Sequence, residues 1–343
     1  MSKKKYSIIR KKILSYYENN KRNLPWRTKQ DNNQNPYFTL VSEVMLQQTQ
    51  VNTALGYYKK FIKKWPTVCS LAKANDEDIL TLWAGLGYYS RAKNLLKAAK
   101  IITVKYDGII PNKYEDLISL PGIGEYTASA IISFAFGKFS VVIDTNVKRF
   151  IGRVNGLEKI ININKNEFNK LGVKLFPKEN SGKFAQAIMD FSSDICTKIK
   201  PSCSKCFLKL YCEFDETLEE KSKKKKIKKK YSLVFFYILK KKFFFLRKRP
   251  LKVTLGGMYE VPGTDWIDKK WPKIPEEINS INALPRTIKY KFSNINLETK
   301  IYKLHINKKK VFNEQGIWIE SKDLKKFPLS VLTRRIINYS LNS

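Results

Sequence analysis

The stretch LPGIGEYTASAIISFAFGKFSVVIDTNVKRF, residues 120–150, decides the fold of this chain. Its first segment, LPGIG at 120–124, predicts a hairpin between two helices, because the proline fixes φ and Gly122 and Gly124 can adopt φ > 0 and let another backbone approach. Small and apolar residues alternate over 126–136, which favours a buried helix. A helix that follows Gly-x-Gly presents unpaired backbone N–H groups and the positive end of its dipole, an arrangement that suits a phosphate.

A carboxylate closes the apolar run that follows this helix. The run 139–143 leads to Asp144, and a further helix is predicted from Asn146 to Val154. One interpretation is that Asp144 simply caps that helix. The other is that a carboxylate beside buried chain has a chemical role, and residues 120–150 alone leave both interpretations open.

A second carboxyl lies in the apolar segment PYFTLVSEVMLQQTQV, residues 36–51. The pattern predicts a helix with Thr39 as its N-cap and with Glu43 among apolar neighbours. Taken alone, such a glutamate is more often a surface or capping residue than a catalyst. Partial burial would raise its pKa, as a general acid requires. Gln48 belongs to a group of glutamines that can donate to or replace bases.

A second Gly-x-Gly motif occurs in AGLGYYSR, residues 84–91, and leads into a basic helix. One such loop is weak evidence of function. Two of them indicate a surface that approaches backbone phosphates closely, with Tyr88 free to stack on a base or to wedge between bases.

The composition restricts the class of partner and the compartment. The 343 residues carry a formal net charge of +36, which favours a polyanionic partner, although a lysine-rich chain is also typical of an AT-rich genome. The longest apolar run, 233–239, is too short to span a bilayer, and the lysine-rich N-terminus lacks the apolar core of a signal peptide. We therefore expect an intracellular protein of the cytoplasm or nucleoid, without a membrane partner and with reduced cysteines.

Four cysteines lie close together after the last predicted helix. They are Cys196, Cys203, Cys206 and Cys212, with the spacing C-x6-C-x2-C-x5-C. Thiols this close in an intracellular chain indicate a metal site. Structural zinc usually uses two C-x2-C pairs and only one is present here, whereas four cysteines are the usual ligands of a [4Fe–4S] cluster.

Gly122-Ile123-Gly124, followed about twenty residues later by Asp144, resembles the helix-hairpin-helix DNA glycosylase superfamily. Glu43 with its glutamine-rich segment is most similar to the MutY-type adenine glycosylases of that superfamily. The resemblance covers roughly residues 10–212 and includes the cysteine spacing, which matches the [4Fe–4S] loop of these enzymes. It implies an all-α helix-hairpin-helix domain whose Gly122 and Gly124 grip a DNA phosphate through backbone amides.

The same resemblance implies roles for the catalytic candidates. Glu43 would protonate N7 of adenine and then handle the water, while Asp144 would stabilise or transiently trap the sugar cation. Tyr126 is similar to the active-site tyrosine of the family, and Asn146 would help to hold the site. Two carboxyl groups in different environments, one protonated and one ionised, suit this chemistry.

The nearest alternative is an endonuclease III-like enzyme that removes oxidised pyrimidines and nicks the strand. Such relatives have a lysine in the hairpin helix that forms a Schiff base, whereas this chain has Glu125-Tyr126-Thr127 there. Thr145 is typical of the endonuclease III type, so the motif after Asp144 is intermediate. We expect base removal without efficient strand cleavage, and a non-catalytic iron–sulfur DNA-binding protein stays as a further alternative.

The C-terminal part shows a different pattern. A lysine-rich linker is predicted at 215–230, and strand patterns occur at 231–239, 242–246, 297–306 and 316–319. Residues 256–263 resemble the corresponding loop of Nudix-like domains. A Nudix hydrolase needs an REUxEE helix after this loop, and only Glu276 and Glu277 are present, so we expect a recognition module without a hydrolase site.

Residues 291–297 look like the Phe-Ser-His loop with which MutY-type enzymes sense 8-oxoguanine. Ser293 is retained, whereas Asn294 replaces the histidine. Asparagine can still donate a hydrogen bond, but discrimination of the lesion should be weaker.

Together, these patterns predict an all-α glycosylase domain at 1–214, the linker at 215–230 and an α+β Nudix-like domain at 231–343. The expected cofactor is one [4Fe–4S] cluster per chain. The expected partner is double-stranded DNA that contains adenine opposite 8-oxoguanine or G, bound by a monomer.

Overall fold

The computed structural model describes residues 3–27, 34–157, 164–215, 227–251, 253–278, 281–292, 294–307 and 316–343. The chain divides into two compact units, Met1–Lys73 with Asn94–Lys221, and Ala74–Lys93 with Ser222–Ser343. Helices precede a sheet along the chain, so the predicted class, an all-α part followed by an α+β part, is confirmed. Residues 216–226 lie outside the described ranges, and the predicted domain limits at 214 and 230 stay a prediction.

The helices of the N-terminal two thirds are α1 (Lys3–Asn20), α2 (Pro36–Leu46), α3 (Val51–Lys64), α4 (Val68–Ala72), α5 (Asp76–Trp83), α6 (Ser90–Lys105), α7 (Tyr114–Ile118), α8 (Glu125–Phe134), α9 (Thr145–Val154), α10 (Lys165–Leu175) and α11 (Ser181–Asp194). Two short 3-10 turns, at Cys203–Lys205 and Lys209–Tyr211, carry part of the cysteine-rich segment. Among the described residues, no helix combines the length and the apolar character needed to cross a bilayer.

The start of α2 differs from the prediction. Asn35 is the N-cap, and its side-chain oxygen accepts hydrogen bonds from the backbone N–H groups of Tyr37 (3.0 Å) and Phe38 (3.1 Å). Pro36 occupies the first turn, where its missing N–H costs nothing. Thr39 is a buried residue inside the helix, so its predicted capping role is wrong. The earlier start of α2 adds a turn before Glu43.

A core rich in aromatic rings joins α1, α8, α9, α10 and α11 in the first unit. Phe191 on α11 lies edge-on to Phe150 on α9, with ring centroids 5.8 Å apart. Burial of each such side chain contributes about 1.5–3 kcal/mol. α2 packs against α8 and α9 against α11, so the helices that carry Glu43, Tyr126 and Asp144 share one framework.

The predicted hairpin is formed by α7 and α8. Gly122 has φ of +78°, and a Cβ atom there would lie 2.7 Å from Cβ of Asn94, so both backbone conformation and space favour glycine. Gly124 has φ of −93° and is the N-cap residue of α8. Because it has no side chain, it offers no hydrogen-bond acceptor to the first backbone N–H groups of the helix. A Cβ on Gly124 would meet nothing within 4 Å. The N-terminus of α8 is therefore open in front of Gly124.

The second unit is organised around a seven-stranded sheet: β1 (Lys228–Leu239), β2 (Phe243–Lys248), β3 (Tyr259–Glu260), β4 (Ile267–Asp268), β5 (Ile288–Lys291), β6 (Ile295–Ile306) and β7 (Gly316–Glu320). The main order is β3-β2-β1-β6-β5, with β4 paired to β1 and β7 to β2. β1 and β6 run parallel over their whole length, from Lys228 beside Ile295 to Leu239 beside Ile306. The helix α12 (Val331–Asn342) packs on β5 and β6 and closes the core.

The four predicted strands correspond to β1, β2, β6 and β7, whereas β3, β4, β5 and α12 were not predicted. β1 begins at Lys228, within the segment that the sequence pattern assigns to the linker. The segment after Gly263 contains β4 and a 3-10 turn at Glu276–Ile278, and its described residues, to 278, contain no helix. The expected absence of a hydrolase site stays a prediction.

We predict that Gly182→Ala destabilises the protein whereas Gly56→Ala does not. A Cβ on Gly182 in α11 would lie 2.5 Å from the carbonyl oxygen of Ser133 in α8, so the helices must separate; such overpacking costs about 1–3 kcal/mol. Gly56 lies in α3 with nothing within 4 Å, so alanine there should stabilise by about 0.5–1 kcal/mol. Urea unfolding of both variants tests this, and equal midpoints would contradict the close contact of α8 and α11.

Candidate active site

Glu43 and Tyr126 meet between α2 and α8. The Tyr126 hydroxyl donates a hydrogen bond of 2.8 Å to Oε2 of Glu43, whose residue surface is 6% exposed. Burial raises the pKa of Glu43 to about 7; the nearby charge of Asp144 acts in the same direction, while the Tyr126 bond and the charge of Arg27 oppose the rise. Glu43 is thus a carboxyl that holds or releases a proton near neutral pH.

Asp144 caps α9 and also faces the same site. Its Oδ1 accepts hydrogen bonds from the backbone N–H groups of Asn146 (2.9 Å) and Val147 (2.7 Å), and its Oδ2 accepts one from Nδ2 of Asn146 (2.8 Å). Burial raises the pKa of Asp144, and these three donors oppose the rise. Arg149 donates to Oδ1 of Asn146 at 3.0 Å, which fixes the orientation of that amide.

A cavity of about 510 Å³ connects these groups. Its lining includes the four residues predicted as catalytic, Glu43, Tyr126, Asp144 and Asn146, and also Gln48. The volume lies in the range of pockets that bind small molecules or single nucleotides. Residues 101 positions apart in the chain, Glu43 and Asp144, therefore line one chamber.

Two buried amides in this cavity lack hydrogen-bond acceptors. Nε2 of Gln34 and Nε2 of Gln186 have no partner among the described residues, and both residues are 2% exposed. The Tyr17 hydroxyl donates to Oε1 of Gln186 at 3.1 Å, which leaves the NH₂ group of that amide to another acceptor. A buried unpaired donor costs about 1–3 kcal/mol. Both residues line the cavity, and these two nitrogen atoms are themselves shielded from solvent.

Sequence reasoning missed Gln34, Gln186, Arg27 and Lys148, all of which line the cavity. A polar residue within the apolar face of a helix was a usable signal for Gln186, but no local pattern indicated Gln34. Lys148 lies on α9, one turn after Asp144, with its ammonium 4.8 Å from the centre of the Phe168 ring. The cavity thus contains a lysine although the hairpin helix does not.

Gln48 and Tyr88, two of the residues predicted to contact bases, both have a left-handed backbone. Gln48 has φ of +58° and is exposed; Tyr88 has φ of +48° and is 48% exposed. Such conformations are costly for residues other than glycine and often occur at functional sites. The turn before Tyr88 is held by Arg91, which donates to the carbonyl oxygens of Leu86 (3.2 Å) and Gly87 (3.0 Å). Gln48 and Tyr88 belong to different units.

Asn294 lies in the turn between β5 and β6. Its side chain is exposed, and its carbonyl oxygen accepts a hydrogen bond of 3.0 Å from the N–H of Lys228. Ser293, the other residue predicted to sense the opposite base, lies outside the described residues.

The four clustered cysteines line a separate cavity of about 270 Å³. Nη1 of Arg153 lies 3.3 Å from Sγ of Cys196, and the N–H of Leu208 donates to Sγ of Cys206 at 3.4 Å. In the described ranges, no three cysteine, histidine, aspartate or glutamate side chains are grouped as ligands of a single metal ion. Four thiols around one cavity, with N–H donors to two of the sulfur atoms, are suitable ligands for a metal centre.

Comparison with known proteins identifies two family models. Residues 41–178 match the HhH-GPD superfamily of base excision DNA repair proteins, and residues 234–339 match the NUDIX domain. These ranges confirm the predicted Nudix-like character of the C-terminal part. The first range includes both carboxyl groups of the cavity, and the second includes most of the seven-stranded sheet.

Individual relatives agree with the first model. An adenine DNA glycosylase of Buchnera aphidicola (subspecies Baizongia pistaciae) is 45% identical over 206 residues, which are 59% of this chain and 56% of the relative. One from Mycolicibacterium smegmatis is 34% identical over 58% of this chain and 67% of its own length. The solved structure of a thermostable thymine-DNA glycosylase is 30% identical, with a TM-score of 0.57 over 62% of this chain and 98% of that one. The match to the Buchnera glycosylase spans little more than half of the length of that protein.

We predict that the side-chain carboxyl of Glu43 titrates with a midpoint near pH 7, because burial raises its pKa to about that value. Carbon-13 NMR of protein labelled at glutamate carboxyl carbons measures the midpoint, and Glu43→Gln assigns the resonance by removing it. Tyr126→Phe should move the midpoint upward, since the lost hydrogen bond favours the ionised form. A midpoint near 4, the value of an exposed glutamate, would contradict this environment.

Proposed function

This chain belongs to the HhH-GPD superfamily of base excision DNA repair proteins and is of the MutY type, and we propose that it excises mispaired adenine from DNA. The observation that carries the proposal is the cavity in which a buried carboxyl near its protonation midpoint, Glu43, faces a helix-capping carboxylate, Asp144. An enzyme that hydrolyses an N-glycosidic bond needs these two groups on opposite sides of the bond. The base must first be flipped out of the duplex.

On the base side, the protonated carboxyl of Glu43 donates its proton to N7 of adenine. Protonation turns the purine into a better leaving group, so the bond between N9 and C1′ breaks with its electron pair passing to the base. The ionised Glu43 then takes a proton from the water that attacks C1′.

On the sugar side, Asp144 stabilises the oxocarbenium ion or traps it transiently. Its charge is held by the N–H groups at the start of α9 and by Nδ2 of Asn146, so it remains a carboxylate while Glu43 is protonated. Tyr126 orients Glu43 through its hydroxyl. We assign Asn146 to the orientation of Asp144.

DNA binding would use the two Gly-x-Gly turns. The open N-terminus of α8 behind Gly122 and Gly124 supplies backbone N–H groups to a phosphate. Gln48 and Tyr88, both exposed on left-handed backbone, are suited to replace or separate bases. The net charge of +36 favours a polyanion and predicts salt-sensitive affinity. We propose an intracellular monomer that binds double-stranded DNA.

The opposite base is proposed to be 8-oxoguanine, and G with lower preference. Asn294 supports this by its exposed position in the β5–β6 turn, from which it could donate a hydrogen bond, together with Ser293, to the lesion. An asparagine has a shorter reach than a histidine ring and a different shape. We therefore propose a smaller preference for 8-oxoguanine over G than a Phe-Ser-His loop would give.

A [4Fe–4S] cluster bound by Cys196, Cys203, Cys206 and Cys212 is proposed as a structural cofactor. When bound, it supplies a rigid covalent centre to the loop after α11. Arg153 would stabilise the thiolates, since it donates near Cys196 and to the carbonyl oxygen of Thr197 at 2.7 Å. No catalytic step requires the cluster, because its cavity is separate from that of Glu43.

A second candidate function is a glycosylase that also cleaves the strand. Lys148 in the cavity supports it, because a lysine near C1′ could form a Schiff base with the sugar. Its ammonium lies 4.8 Å from the centre of the Phe168 ring, so it is already engaged in a cation–π contact. We therefore favour base removal without efficient nicking.

We predict that the protein releases adenine from a labelled duplex with adenine opposite 8-oxoguanine, and more slowly opposite G, in single-turnover assays. Glu43→Gln should lower the rate by about 10²–10⁴-fold, the usual contribution of a general acid, while it leaves DNA affinity unchanged. Glu167→Gln, an exposed glutamate on α10, is the matched control and should keep the wild-type rate. Unchanged excision by Glu43→Gln would refute the proposed role of that residue.

The same duplexes separate the alternatives. Strands should break only after alkali treatment; nicking without alkali that Lys148→Gln abolishes would establish the second candidate. Activity on an oxidised pyrimidine without activity on adenine would support the endonuclease III-like function. DNA binding without any base release would favour the non-catalytic iron–sulfur protein.

We further predict that the purified protein is brown and contains four iron atoms per chain, the content of one [4Fe–4S] cluster. Cys203→Ser should lower the iron content and visible absorbance, whereas Cys69→Ser, outside the cluster of thiols, should leave both unchanged. Elemental analysis and visible spectra measure both quantities. Stoichiometric zinc in place of iron would contradict the cofactor assignment.

A further inference from the structure

Behind the Glu43 cavity, one buried carboxylate is shared by two arginines. Asp190 on α11 is 3% exposed and accepts two parallel bonds from Arg27, with Nη1 to Oδ2 at 2.7 Å and Nη2 to Oδ1 at 3.1 Å. Arg22 donates to the same carboxylate from Nε (2.6 Å) and from its backbone N–H (3.1 Å). The paired, planar contact fixes the guanidinium of Arg27 in one orientation.

The fixed guanidinium lies at the catalytic cavity. Arg27 lines the same chamber as Glu43, its side chain is 9% exposed, and it lies 5.8 Å from the centre of the Tyr17 ring. Burial by itself disfavours the charged form of Arg27, but the hydrogen bonds and charge of Asp190 more than offset it and raise the pKa of the guanidinium. Arg27 therefore stays positive beside an acid that has to keep its proton.

A positive charge at this place works against general acid catalysis. Burial is the main reason for the raised pKa of Glu43, and the charge of Arg27 opposes that rise. In a poorly solvated site, such a charge acts more strongly than in water. An uncompensated Arg27 would favour the ionised form of Glu43 more strongly, and the chain offers a compensating charge in direct contact with Arg27, the carboxylate of Asp190.

The other charged groups around Glu43 come from three elements. Tyr126 on α8 donates to it, Asp144 before α9 disfavours its ionisation, and Lys148 on α9 and Arg22 after α1 line the same cavity. Asp190 itself faces the two arginines, and Tyr16 on α1 is influenced by its charge. Among these groups, the carboxylate of Asp190 is the one joined to Arg27 by two hydrogen bonds.

We propose that Asp190 is a positioning residue that fixes Arg27 next to Glu43 and offsets its positive charge, so that Glu43 remains a proton donor. The inference rests on the proposed function, since it assigns a proton-transfer step to Glu43. The proposal predicts opposite effects when the charge of Asp190 or that of Arg27 is removed. Loss of the negative charge at Asp190 exposes Glu43 to an unbalanced cation, whereas loss of the positive charge at Arg27 removes an influence that favours ionisation.

The test is the pH profile of single-turnover adenine release from a duplex with adenine opposite 8-oxoguanine. In the wild type, the rate should fall as pH rises through the midpoint of Glu43. Asp190→Asn should move that fall to lower pH by about one unit, which lowers the rate about tenfold on the alkaline side and leaves the acid plateau. Arg27→Gln should move the fall to higher pH, and Arg27→Lys, which keeps the charge, should lie nearer the wild type.

The outcomes separate this inference from the function on which it depends. Equal slowing at every pH, with unmoved midpoints in Asp190→Asn and Arg27→Gln, would show a purely structural role and overturn the proposal. Should Asp190→Asn fail to fold in thermal unfolding, the direction of the shift in Arg27→Gln decides the question, and a downward or absent shift refutes it. A wild-type profile without the fall, or full activity of Glu43→Gln, would refute the proposed function instead.

Discussion

The withdrawal of the Glu43 carboxyl from water is the constraint on which the site depends. A carboxyl on an exposed face of α2 would be ionised at neutral pH and could not donate a proton. The buried neighbours of Glu43 on α2, with Tyr126 on α8, remove that solvation, and burial is the largest cause of its raised pKa. The packing of α2 against α8 is therefore also the source of the acid-base chemistry that we propose.

One continuous segment connects that acid to the proposed DNA contact and to the second carboxylate. Gly122 makes the turn, Tyr126 lies in the first turn of α8, two residues after Gly124, and Asp144 starts the next helix. Small residues of α8 such as Ala128 and Ala130 are fully buried, which lets the neighbouring helices approach. A phosphate held at the open end of α8 would thus lie near the turn that carries Tyr126, the residue that donates to Glu43.

Local signals in the sequence predicted most helices, and the failures have identifiable causes. Asn35-Pro36 is itself a signal for the start of a helix, but Thr39 is also a residue type common at N-caps. Only the structure shows that Asn35 lies outside α2 and that Thr39 lies within it. α12 was not predicted, although Leu332, Ile336 and Ile337 recur at helical spacing and Ser330 is a suitable N-cap. The parallel pairing of β1 with β6 joins residues 67 positions apart, such as Lys228 and Ile295, and no local pattern specifies such a partner. Likewise, Arg27 and Asp190 are 163 positions apart, so neither residue indicated the other.

The sequence left open whether Asp144 is a helix cap or a functional carboxylate, and the structure makes these interpretations compatible. The N–H groups that it caps are donors to its ionised form, so the bonds that start α9 also favour the negative charge. That charge in turn disfavours ionisation of Glu43, which lies in the same cavity. The capping hydrogen bonds therefore oppose the rise that burial causes in the pKa of Asp144, while the charge of Asp144 raises the pKa of Glu43. The hydrogen bonds that start α9 thus also favour the ionised form of Asp144, which is the form its proposed role requires.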